Sequence, residues 1–95
     1  MITVLPDGVT KYYETPKFDQ DTLPIALQKE HKTKPGCWAK AIITDGSIDY
    51  VLEERPDEIF TVNAGQFVII EPEVPHHVEV TGPVLFHLEF YKLQS

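Results

Sequence analysis

Cysteine is almost absent. Among 95 residues there is one, Cys37, so no intrachain disulfide can staple the chain. Set beside Trp38, it reads as a small packed hydrophobe rather than a reactive thiol. Long apolar runs are absent too, which excludes a bilayer-spanning helix. The opening MITVLPDGVTKYYE lacks a basic segment followed by an apolar stretch, so no signal peptide is expected and the expected location is cytoplasmic. Positive charge is scarce: 8 Lys and Arg stand against 15 Asp and Glu, giving a net charge of −7 and a pI near 4.9. Such a chain repels phosphates and anionic lipid, which excludes non-specific nucleic-acid binding and argues against a membrane surface. Helical periodicity is also missing. No segment carries an apolar stripe over three turns, and only PIALQ, residues 24–28, suggests a helical turn.

What remains is strand-like. The length suits one domain, residues 1–95, with 42% hydrophobic residues to build a core. Strands are predicted at residues 10–14, 37–43, 47–53, 58–62, 66–70, 76–80 and 84–91. Asp45-Gly46 reads as a hairpin turn between the second and third. Asn63-Ala64-Gly65 and Thr81-Gly82-Pro83 read as further turns. The run QFVII, residues 66–70, is apolar on both faces and so is expected in the middle of a sheet. Many short strands separated by turn residues predict an all-β jelly roll or small sandwich barrel.

Strand parity sorts the candidate site residues. In HHVEV, residues 76–80, His76 shares a face with Val78 and Val80, so it is expected inward, with His77 outward and solvated. A buried imidazole needs a partner. A metal, a carboxylate or a backbone carbonyl would each serve. In the last strand Phe86, Leu88 and Phe90 form the core face, which leaves His87 and Glu89 on the other. An acid in the middle of a strand between aromatics is unusual, although a salt bridge to a lysine would explain it. His31 lies among Lys29, Lys32, Lys34 and Lys40, a small positive patch on an acidic chain that would draw an anion.

Two of these stretches resemble known motifs. PEVPHH, after an apolar strand that begins at Gly65, resembles the second cupin motif, with His76 at its metal-binding histidine. Gly46, in IITDGSIDYVL, resembles the glycine that ends the first cupin motif. The whole chain from Tyr13 to Tyr91 is similar to a small cupin-like family associated with tellurite resistance. The similarity runs through YETPKF, TLPIAL, HKTKPGCW, GSIDY, AGQFVIIEP and FHLEFY. Members of that family also form the N-terminal domain of some tellurite-resistance methyltransferases. The first cupin motif departs from the usual pattern. It offers only His31, and Ala39 lies near the position of the usual glutamate, so the four-ligand cupin site does not carry over.

The resemblance, together with the odd acid at 89, implies a divalent metal (zinc, iron, manganese or nickel) held by His31, His76 and Glu89, with His87 in reserve. Two histidines and a carboxylate leave coordination positions open. Trp38, Tyr50, Lys34 and Lys40 would line an adjoining pocket for a small oxyanion. Three functions follow. The first is a metal-binding module that binds or senses in tellurite or related oxyanion stress. The second is a small metal enzyme of dioxygenase or isomerase type. The third is a metal-free interaction module. Sheet edges favour a homo-oligomer, a dimer.

Overall fold

A computed structural model describes residues 4–29, 31–55 and 57–93. Seven strands build it: β1 (Val9–Glu14), β2 (Phe18–Asp19), β3 (Cys37–Leu52), β4 (Ile59–Asn63), β5 (Phe67–Ile70), β6 (His76–Glu79) and β7 (Val84–Leu93). A single 3-10 turn, Ile25–Gln28, stands where PIALQ predicted one. The all-β jelly-roll expectation holds. No helix among the described residues is long and apolar enough to cross a membrane.

All the ladders are antiparallel. β7 runs between β1 and the first half of β3, with the short β2 also on it, and β5 pairs with the other side of β3. The second half of β3 joins β4 on one side and β6 on the other. β3 thus belongs to two sheets that pack face to face. Their inner faces supply the core, with Phe86, Ile43, Ile48, Val68 and Tyr50 almost wholly buried.

Two expectations need correction. Asp45-Gly46 does not end a hairpin: β3 continues through it for 16 residues. Gly46 takes φ 74°, and the register against β7 shifts between Ile43 and Asp45. A bulge of this kind bends a strand and increases its twist, which is how β3 passes from one sheet to the other. A Cβ on Gly46 would lie 2.1 Å from the Pro83 carbonyl oxygen, so the bend is packed tightly against the β6–β7 turn. The second correction concerns β5. It is buried on both faces along Val68, Ile69 and Ile70, yet it takes the edge of its sheet and pairs with β3. Burial on two faces came from packing above and below, not from a second strand neighbour.

Candidate functional site

His76 opens β6 immediately after Pro75. It pairs with Leu52 of β3 on one side and with His31 on the other. The second pair exchanges both backbone hydrogen bonds. His31 N–H donates to the His76 carbonyl at 2.9 Å, and His76 N–H donates to the His31 carbonyl at 2.8 Å. Residues directly opposite in an antiparallel pair put their side chains on the same face. The two imidazoles accordingly meet edge to face, with ring centroids 4.1 Å apart. Tyr50 covers His76 from the other side, at 5.2 Å.

Each imidazole is oriented in the same way. His76 Nδ1 lies 2.8 Å from the Val74 carbonyl oxygen, and His31 Nδ1 lies 2.9 Å from that of Lys29. A carbonyl only accepts, so each Nδ1 carries a proton and Nε2 is the ring nitrogen left outside that bond. Burial pushes the His76 pKa down to about 4, and the neighbouring His31 lowers it further, against the Val74 carbonyl, which favours the charged ring. His76 is therefore neutral at pH 7. The inward parity expected for it is met: it is 1% exposed.

The two histidines open onto a cavity of about 290 Å³ between the sheets. Phe86, Leu88 and Phe90 of β7, Ala39 of β3, Ile70 of β5 and Leu27 of the 3-10 turn form its apolar walls. Lys32, Lys34, Cys37 and Tyr12 stand at its rim. The rim is held from below. Thr33 pairs in parallel with Pro72, accepts the Glu73 N–H at 3.1 Å and donates its hydroxyl to the Cys37 carbonyl at 2.8 Å. Cys37 is only partly buried, and its sulfur lies 3.1 Å from the Tyr12 hydroxyl. It is a rim residue, not the packed hydrophobe expected of it.

The expected ligand set divides. Glu89 alternates with the cavity-lining Leu88 and Phe90, so it points to the opposite face of β7, away from His31 and His76. There the Tyr91 hydroxyl donates to it at 2.7 Å and holds its carboxyl below the usual range, with Lys11 contributing further. His87 lies on that face too, with Nε2 3.9 Å from Glu89 Oε2. Glu14, His87 and Glu89 bring ligand-type atoms within 4.8 Å of one another. However, the Lys11 ammonium already contacts both carboxylates, at 3.0 and 3.5 Å, and offsets part of their charge. That group reads as an ion-pair network.

The expected pocket lining is also corrected in part. Lys34 lines the cavity. Trp38 and Lys40 alternate with the inward Ala39 and Ala41 and face away, and Lys40 sits 4.3 Å above the Phe67 ring. Tyr50 is a wall behind His76 rather than a rim residue. Burial, helped by the Glu71 charge, raises its pKa to about 12. His77 is not merely solvated. Glu53 bonds its Nδ1, and Glu79 approaches its Nε2 at 2.7 Å. These two carboxylates, Glu79 first, raise its pKa. Strand alternation alone could have flagged the Glu79 contact, two residues along the same face; Glu53 arrives from the end of β3.

For a divalent metal, two candidate ligands stand here, His31 and His76. The site offers two imidazoles, that of His76 neutral, each with Nδ1 tied to a carbonyl, the arrangement that orients Nε2 for coordination. Among the described residues the cluster of three ligand atoms lies elsewhere, at Glu14, His87 and Glu89. Any metal at His31 and His76 would take its remaining ligands from water or from a bound molecule.

Comparison with known proteins agrees with the fold and the motifs. The uncharacterised protein YeaR of Escherichia coli K12 is 25% identical over 96 residues, covering 92% of this chain and 81% of that protein. The probable S-adenosyl-L-methionine-dependent methyltransferase TehB of Haemophilus influenzae is 36% identical over 73 residues. That match covers 72% of this chain but only 25% of TehB. The crystal structure of Haemophilus influenzae TehB superposes with a TM-score of 0.81 at 26% identity, over 92% of this chain and 32% of that one. A cupin-2 domain protein from Shewanella frigidimarina shares the fold at 12% identity, with a TM-score of 0.57 over 96% of this chain and 76% of that one. The model of the TehB-like domain matches residues 13–88. The chain belongs to the TehB-like family, the cupin-like family associated with tellurite resistance that its motifs resemble.

Proposed function

We propose that this chain is a binding module that holds a divalent metal at His31 and His76 and takes a small ligand in the adjoining cavity. Its role would be to bind or sense during tellurite or a related stress, in the cytoplasm. One observation carries this reading. Two facing imidazoles both donate Nδ1–H to a backbone carbonyl, which leaves Nε2 as the nitrogen that each would offer a metal beside a cavity. The cupin likeness supports the same position. The edge strands β4 and β5 favour self-association as a dimer. The methyl-transfer activity named for TehB is not part of this proposal, because the chain spans about a quarter of that protein.

The test is bound metal per chain, measured by inductively coupled plasma mass spectrometry on untagged protein before and after reloading with zinc, iron, manganese or nickel. Near-stoichiometric metal is expected, lost in His31→Ala and His76→Ala and retained in His87→Ala. Because His76 is buried, circular dichroism must first show that the variants fold. No metal in the wild type after reloading would leave His76 as a core histidine satisfied by Val74. Metal lost in His87→Ala alone would move the site to the outer face of β7.

A further inference from the structure

We propose that the cavity beside His31 and His76 takes a small organic monocarboxylate, its hydrocarbon body between the sheets and its carboxylate at the Lys32–Lys34 rim. The proposal rests on the reading of this cavity as the binding site, but not on the metal. Three observations carry it.

The first is charge. The chain carries 15 Asp and Glu and a net charge of −7. Among the described residues none of these carboxylates lines the cavity, while two of the chain's few cations do. An opening lined by two lysines and by none of the described carboxylates favours an anion.

The second is the wall. Past the rim, apart from His31, His76 and Thr33, the surface is apolar: Phe86, Leu88, Phe90, Ala39, Ile70 and Leu27. A hydrated inorganic dianion would lose its water there against a wall that returns few hydrogen bonds, which is costly. A hydrocarbon body gains from the same surface, at about 25 cal/mol per Å² removed from water.

The third is size. About 290 Å³ lies at the lower end of small-molecule pockets, which span roughly 300–1,000 Å³. That suits a short-chain or single-ring acid and is too small for a nucleotide. Tellurite itself is then not the ligand of this cavity, and any link to tellurite would be indirect.

The test is titration of the full chain, chelator-treated and metal-reloaded, with hexanoate, benzoate, hexanol, sulfate and tellurite. Amide shifts at Ala39, Ile70 and Leu88 would be followed by nuclear magnetic resonance. Hexanoate and benzoate are expected to bind both forms and to move these amides. Hexanol should bind about five-fold more weakly, because it lacks the charge that two exposed lysines favour. The variant Lys32→Ala/Lys34→Ala should lower hexanoate affinity by about the same factor and leave hexanol unchanged. Raised salt should weaken hexanoate alone.

Four results would overturn the proposal: hexanol binding as tightly as hexanoate, sulfate or tellurite moving the same amides with equal affinity, carboxylate binding only in the metal-loaded form and insensitive to the lysine variant, or no probe binding either form. Hexanoate bound to a chain that holds no metal would sink the metal reading and leave this one standing.

Discussion

Burial keeps the His76 imidazole neutral down to about pH 4, while Glu79 and Glu53 keep the adjacent His77 charged above the usual histidine range. Adjacent residues thus couple stability to pH in opposite senses. For His76 the folded pKa lies below the unfolded value of 6.5. Its stabilisation is complete above that value and is lost as pH falls toward 4, by roughly 2 kcal/mol between about pH 7 and pH 5. For His77 the folded pKa is raised. Its contribution is complete below the unfolded value and is lost as pH rises through the folded one. Chelator-treated protein should therefore be most stable near about pH 6.5. Urea midpoints measured across pH would show this, and His77→Gln should abolish the decline on the alkaline side only. A midpoint that is flat between pH 7 and pH 5 would show that His76 takes up a proton in the folded state. Strand parity made this arrangement half legible: it turned His76 in and His77 out, and it put Phe86, Leu88 and Phe90 in the core. The same parity put Glu89 outside, and the likeness to metal cupins drew it toward the histidines. The cavity rim was not legible, because backbone pairs from His31 and Thr33 to His76 and Pro72 set it, and such pairs leave no side-chain pattern.

At the scale of elements, β3 is the piece that the sequence reading divided in two. Asp-Gly between apolar runs is a hairpin signal because glycine accepts positive φ. Gly46 does adopt one, but the chain runs on, since Val84 and Pro83 are packed against the bend. A local signal for positive φ is shared by a turn and by a bulge, and only long-range pairing separates them. Gly46→Ala should be costly for two reasons. The left-handed conformation costs about 1–2 kcal/mol for a residue with a Cβ, and the new methyl would meet the Pro83 carbonyl. A loss of more than about 2 kcal/mol is expected in urea unfolding, with the slope unchanged. A smaller loss would mean that the β6–β7 turn yields easily. The other strands were read within a residue or two, except the two-residue β2, which is too short to carry a period.

At the scale of the molecule, the first sheet is closed by its latest strand. β7 lies between β1 and β3, and it contributes Phe86, the least exposed residue of the core. The strands β1 and β2 and the free side of the first half of β3 therefore wait for it. While the protein is being synthesised, β1 and the first half of β3 have no common neighbour until residues 84–93 emerge. A chain stopped at Thr81 would expose a bare strand edge on each, and is expected to aggregate or to be recognised by chaperones. Arrested nascent chains of increasing length, probed by protease, should become resistant in one step once β7 clears the ribosome. Gradual protection would contradict this order. The first sheet thus closes only once β7 has emerged, and any sequence that follows β7 would emerge behind a domain that has only just closed.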